Sequence, residues 1–253
     1  MLESLFDIQE ILGNGTFSTV YKGLYRDRPD NVITIKRIDK KIHDKWSREI
    51  EILQQVFHKN LPEYLGHVDA DDEVYVMLKY VQGIDVHAYI TTNTIFTIKR
   101  IVNIFRQISQ VFQYLHGNDI VHLDFKLENI ILGENDFITV IDMGFAMRTT
   151  GNISLSRGSP EYLSPDILSG KPYNPKQHDI WTMGVVLYVM AYNEYPFEAE
   201  NDDYKVLYQK IRTQEPKYNS TVPEHINTLI KGMLCKNPKK RLNIDQITRM
   251  IFF

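Results

Sequence analysis

Hydrophobic residues fall in short β-branched and aromatic runs through the first third of the chain and at helical spacing through much of the rest. Leu5 to Leu12 and Phe17 to Tyr25 predict two strands joined by Gly13-Asn14-Gly15-Thr16. Asn31 to Ile38 predicts a third, which carries Lys36. Ile42, Trp46, Ile50, Leu53 and Phe57 then recur on one helical face. At about 100° per residue, Glu49 lies roughly 60° from the centre of that stripe and Glu51 roughly 140°. Glu49 therefore borders the buried side, where a carboxylate needs a cation, and Glu51 points to water. Val74 to Leu78 reads as a strand leading into Lys79-Tyr80-Val81-Gln82-Gly83. Ile98, Ile101, Val102, Phe105, Ile108, Phe112 and Leu115 mark a long amphipathic helix stopped by Gly117. A hairpin follows: the apolar run Ile130-Ile131-Leu132, a turn over Gly133 to Asp136, and the strand Phe137 to Ile141.

Composition narrows the classes. The chain has 253 residues, 43% hydrophobic and 24% charged, the balance of one large globular domain or two tightly joined lobes. The formal net charge of -3 gives no bulk electrostatic case for nucleic-acid binding. A single cysteine, Cys235, excludes an internal disulfide and fits a reducing compartment. It sits on the helix-like apolar stretch Ile230 to Cys235, which predicts a buried thiol. Met183 to Ala191, the most apolar segment, is too short to span a bilayer and reads as a buried helix. The N-terminus has no signal-peptide pattern, and neither end carries a lipidation signal. The eight histidines show no zinc-ligand spacing.

The candidate chemistry lies in His122-Leu123-Asp124-Phe125-Lys126-Leu127-Glu128-Asn129, followed by Asp142-Met143-Gly144. Asp124 and Asn129 are five positions apart on a loop, and Asp142 comes thirteen later, where the hairpin returns it beside that loop. A lone loop aspartate is usually a turn or cap residue. Here Asn129 and Asp142 offer the hard oxygens that Mg²⁺ prefers, to be completed by phosphates, and Asp124 stays free to orient a hydroxyl or take its proton. Gly13 and Gly15 let a backbone approach phosphates closely. A dinucleotide-binding turn would require a helix straight after the glycines, whereas Phe17 to Tyr21 reads as a strand, which favours a hairpin flap.

This set of residues resembles the eukaryotic protein kinases, whose catalytic loop H-R-D-x-x-x-x-N is followed by D-F-G. Further along, Gly158-Ser159-Pro160-Glu161-Tyr162-Leu163-Ser164-Pro165-Asp166 is similar to their substrate-docking segment, and Asp179-Ile180-Trp181-Thr182-Met183-Gly184 to the start of their central helix. The resemblance implies a two-lobed α+β fold in a minimal catalytic domain over 1–253, with an N-lobe to about 78, a hinge at 79–83 and a C-lobe from 84. It implies ATP and Mg²⁺ as cofactors, and proteins with Ser or Thr acceptors as substrates, with no nucleic-acid or membrane partner. Lys36 would position the phosphates and Glu49 would position Lys36. Asp124 would orient the acceptor, Lys126 would stabilise moving charge, and Asn129 and Asp142 would hold the metal. Leu12, Gly13, Asn14, Gly15, Thr16, Phe17, Ser18, Thr19 and Val20 would cover the nucleotide. Thr34, Leu78, Ile131 and the backbone of Lys79 and Val81 would surround the adenine. Asp85 would meet the ribose or cap the next helix. Asp179 would hold the catalytic-loop backbone, and Arg241 would pair with Asp166.

Several residues depart from the family pattern. Ser18 replaces a glycine, Thr34 an alanine, and Met143 the phenylalanine of D-F-G. Leu123 stands in place of the arginine that grips a phosphorylated activation loop, so phosphorylation at Thr149, Thr150, Ser154 or Ser156 is not expected to be obligatory. A pseudokinase scaffold is the alternative reading. Glu128 and Asp85 fall where arginine-directed kinases place acids, or else are exposed turn residues. The location implied is intracellular, cytoplasmic or nuclear.

Overall fold

The computed structural model describes residues 6–15, 18–92 and 95–252, with the side chains of 28–30, 42–45, 202 and 252 outside that description. Leu5, Thr16, Phe17, Phe253 and the side chain of Ile42, all used in the readings above, lie outside the described residues.

β1 (Phe6–Asn14), β2 (Ser18–Tyr25), β3 (Arg28–Asp39), β4 (Tyr64–Asp69) and β5 (Glu73–Lys79) form one antiparallel sheet in the order β1-β2-β3-β5-β4. Side chains alternate across it. Ile33, Ile35, Tyr75 and Met77 pack with Phe6 on one face. Thr34 and Lys36 point to the other, where they meet the rest of the molecule. In register, Lys36 lies opposite Val20 and Val76, and Thr34 lies opposite Lys22 and Leu78. The sheet thus gathers Val20, Thr34, Lys36 and Leu78 on a single face.

Helix α1 (His43–Leu53) packs Ile50 and Leu53 against Val74 and Val76 in the main core. It ends earlier than the hydrophobic stripe implies. The chain leaves helical phase after Leu53, so Val56 is buried and Phe57 is 80% exposed. Phe57 therefore does not belong to the buried face.

The second lobe is mainly helical. It contains α2 (Val86–Thr91), α3 (Ile98–Gly117), α4 (Pro165–Leu168), α5 (Pro175–Tyr192), α6 (Tyr204–Thr213), α7 (Glu224–Met233) and α8 (Ile244–Phe252). Three short strands, β6 (Ile84–Asp85), β8 (Ile130–Leu132) and β9 (Ile138–Val140), form a sheet in the order β6-β8-β9. β7 (Ile120–Val121) pairs with β10 (Met147–Arg148). Helix α5 is apolar on nearly all sides and buried from His178 to Met190, as expected of a helix at the centre of a lobe. Gly184 allows α7 to approach it, since a Cβ there would come within 2.8 Å of Leu234. Cys235 lies past the end of α7 and is only half-buried, so the apolar helical run ends two residues before the thiol. Among the described residues, no helix is long and apolar enough to cross a membrane.

Candidate active site

Lys36 joins the two lobes. Its Nζ lies 2.7 Å from Glu49 Oε1 on α1 and 2.7 Å from Asp142 Oδ1, which follows β9. Helical phase puts Glu49 there, and the β8–β9 hairpin puts Asp142 there. Burial opposes the lysine charge, but the carboxylates of Asp142 and Glu49 outweigh it, and the ammonium titrates above its ordinary range. Lys36, together with the Gly144 amide at 3.1 Å, draws the Asp142 carboxyl down to about 2, against the effect of burial. Burial raises Glu49 above the ordinary carboxylate range, against the pull of Lys36. A Cβ on Gly144 would meet Asp142 Oδ1 at 3.0 Å and Lys36 Nζ at 3.2 Å, so only glycine leaves this triad undisturbed.

The loop after β7 carries the remaining chemistry. Asn129 Nδ2 donates to the Asp124 carbonyl at 2.8 Å, which turns its amide oxygen the other way. Ile141 N donates to the Asn129 carbonyl at 2.8 Å and ties the hairpin to the loop. Lys126 Nζ sits 3.6 Å from Asp124 Oδ2 and 3.0 Å from Ser159 Oγ, and that hydroxyl reaches Asp124 Oδ1 at 3.4 Å. Burial raises the Asp124 carboxyl above its ordinary value, against the neighbouring Lys126 charge.

Two residues in this region hold a left-handed backbone, Leu123 at φ 68° and Asp142 at φ 64°. For side chains of this size such a conformation costs on the order of 1–3 kcal/mol and persists only where its surroundings fix it. Asp179 fixes the first. Its carboxylate accepts the amides of His122 (3.0 Å) and Leu123 (2.9 Å), and His116 Nε2 lies 2.9 Å away. Lys36 and the Gly144 amide fix the second. Leu123 is buried, and so is His122, which packs its ring against Phe112 and Phe125. Asp166 pairs with Arg241 at 2.6 Å, as the resemblance implied. Met143 is buried in the main core.

The structure brings Lys36, Glu49, Asp124, Lys126, Asn129 and Asp142 together. Val20, Thr34 and Leu78 lie on the Lys36 face of the sheet above, while Ile131 faces Asp85 across the β6–β8 pair. The turn between β1 and β2 closes through Gly15 N to the Ser18 carbonyl at 2.8 Å, with Leu12, Gly13 and Asn14 in the strand before it and Thr19 in the strand after. Lys79 and Val81 flank the connection between the lobes. It ends at Gly83, whose φ of 157° and packing (a Cβ would sit 2.4 Å from the Leu132 carbonyl) require glycine. Asp85 caps α2, accepting Ala88 N at 2.7 Å.

Sequence reasoning passed over Ser159 as a member of the Asp124–Lys126 cluster. Its signal was a hydroxyl directly after Gly158 in the docking segment. It also passed over a pocket of about 400 Å³ where Glu128 is joined by Glu161, Glu198 and Asp203, beside Tyr195 and Tyr204. No local pattern links those four acids, which come from three separate segments: the loop after β7, the docking segment, and the α5–α6 connection that carries both Glu198 and Asp203.

The family model described as "Protein kinase domain" matches residues 6–253. NUAK family SNF1-like kinase 1 of Homo sapiens is 33% identical over 254 residues, which cover 97% of this chain and 38% of that protein. Aurora kinase of Yarrowia lipolytica is 31% identical, over 96% of this chain and 66% of its own length. Calcium/calmodulin-dependent protein kinase type 1 of Macrobrachium nipponense is 28% identical, over 97% and 74%. The chain thus spans well under half the length of the first relative and about two thirds of the second. With the matched region running from β1 to the end of the chain, the chain belongs to the protein kinase domain family.

Proposed function

We propose that this chain is a serine/threonine protein kinase that transfers the γ-phosphoryl group of ATP to a hydroxyl on a protein. One observation carries the reading: Lys36 bridges Glu49 and Asp142 across the lobes at 2.7 Å each, directly above the loop that holds Asp124, Lys126 and Asn129. Held this way, the ammonium stays charged and fixed, ready to meet phosphate oxygens. Val20, Thr34 and Leu78 supply the roof of a cleft for the base, and the backbone of Lys79 and Val81 supplies its edge. Among the described residues nothing lies within 4 Å of where a Cβ on Gly13 would stand, and its φ is not positive, so close approach of a phosphate explains the glycine better than internal packing does. Asn129 and Asp142 present the hard oxygens suited to Mg²⁺, which when bound would neutralise charge on the phosphates. Asp124 accepts the acceptor's proton, and its raised pKa brings it closer to that task. Lys126 lies where charge on the transferred group develops. Asp85 already caps α2, and Oδ1 is the oxygen it uses. The ribose role falls to its other oxygen.

The acid-lined pocket beside the loop supports a preference for basic residues upstream of the acceptor. Among the described residues Glu128 Oε2 is buried there without a hydrogen-bond partner, which a guanidinium would supply. An intracellular site of action, cytoplasmic or nuclear, fits the lone half-buried Cys235.

A peptide array with γ-labelled ATP and Mg²⁺ tests the reading. We expect labelling of Ser and Thr peptides, strongest with Arg or Lys before the acceptor, and none of Tyr peptides. Nucleotide binding without labelling would indicate a pseudokinase scaffold instead.

A further inference from the structure

The segment from Asp142 to Ser159 must place Ser159 against Asp124 and Lys126, and the residue best suited to grip a phosphate on that segment is missing. Leu123 is buried and uncharged. The segment is nevertheless held. Ile153 and Tyr173 exchange two backbone hydrogen bonds, each 2.9 Å, as an isolated antiparallel bridge. The Tyr173 hydroxyl donates to the Leu155 carbonyl at 2.8 Å. The Tyr173 ring is buried with Leu163 and Ile167, and Ile153 packs onto the same cluster. The edge-on contact of the Tyr173 ring with His178 at 6.1 Å ties Tyr173 to the start of α5. Three residues after Leu155, Gly158 turns through φ 121°, and a Cβ there would lie 3.5 Å from the Leu123 carbonyl. The chain then delivers Ser159 to Asp124.

We infer that Tyr173 is a positioning residue that seats this segment without a phosphate, by clamping Ile153 and Leu155 to the α4–α5 connection and thereby fixing Ser159 beside Asp124 and Lys126. The inference rests on the kinase reading. It assigns the work of a phosphate anchor to one buried ring, one hydroxyl and two backbone bonds. Ser154, between the two clamped residues, is exposed and makes no part of the clamp. Burial, with the Asp179 and Asp166 charges adding to it, pushes the phenol up to about 12, so the donor stays protonated throughout the neutral range.

The test uses the full chain, stripped of phosphate by a broad-specificity phosphatase and checked by intact mass, with Tyr173→Phe as the variant that keeps the ring. Two readouts are followed: kcat and KM on a serine peptide, and the rate of trypsin cleavage after the exposed Arg157. We expect the phosphate-free wild type to keep its turnover. Tyr173→Phe should lower kcat about five-fold, the scale of one net hydrogen bond, with the KM for ATP unchanged and cleavage after Arg157 faster by a similar factor. Loss of wild-type turnover on dephosphorylation, or a Tyr173→Phe protein identical in both readouts, would overturn the clamp. Cleavage after Arg157 needs no catalysis, so it judges the clamp even if the chain transfers no phosphate, a result that would count against the kinase reading alone.

Discussion

Arg241–Asp166 and Lys36–Asp142 are ion pairs of nearly equal length, 2.6 and 2.7 Å, but their settings differ. The side chains of the first are 0% and 8% exposed, and those of the second 11% and 38%. Arg241 also donates to the carbonyls of Gln177 (2.7 Å) and Cys235 (2.9 Å) and lies over the Trp181 ring. Its interactions close within one lobe. Lys36, Glu49 and Asp142 come from a strand, a helix and a hairpin of two lobes, and Asp142 opens to the space between them. A closed set of buried charges holds a shape. An open set leaves ligand capacity on charges whose ionisation is already fixed. Asp179 belongs to the closed kind and Asp124 to the open kind, although both are aspartates close to one loop.

That contrast breaks most sharply at Asp124. Asp124→Asn should lower turnover by about 10²–10⁴-fold, the scale of a lost general base, while nucleotide affinity and the unfolding midpoint hold. Steady-state kinetics beside a thermal melt checks this, and a destabilised variant would move Asp124 into the closed set. Arg241→Ala should do the reverse. Leaving Asp166 buried and unpaired costs on the order of 3–5 kcal/mol, read by denaturant unfolding. A drop in turnover with unchanged stability would undo the distinction.

His178 sharpens the closed side. It is buried, with its ring edge-on to Tyr173. Burial, opposed in part by Asp179, lowers its pKa from 6.5 to about 4. The unfolded chain therefore binds more protons between those values, and stability falls as pH drops from about 7 to 4, by roughly 3 kcal/mol from this group alone. His178→Leu should flatten the pH dependence of unfolding in that window, and an unchanged slope would contradict it. The smallest effect belongs outside both sets. Phe57→Ala should change stability by no more than about 0.5 kcal/mol, because the ring is 80% exposed, and a larger loss would show hidden packing.

Much of the site was legible because its geometry is set by short-range rules. The angle of Glu49 on its helix pointed to a cation, and hairpin length returned Asp142 to the Asn129 loop. The strand order after Gly15 excluded a dinucleotide turn. Where the reading failed, the deciding contact was distant or carried by backbone. Phe57 continues a helical spacing that the chain abandons after Leu53. Cys235 extends the apolar run of a helix that ends at Met233. Asp85 had two readings, and the Ala88 amide supports the cap. The Tyr173 clamp joins segments twenty residues apart through carbonyls, which carry no residue signature.

The most direct test of the central claim is a single-turnover assay of γ-phosphoryl transfer from Mg²⁺-ATP to a serine peptide, with wild type and Asp142→Ala side by side. The account predicts transfer by wild type and a rate at least about 100-fold lower in the variant, with weakened Mg²⁺-ATP binding. Equal rates in the two proteins would contradict it.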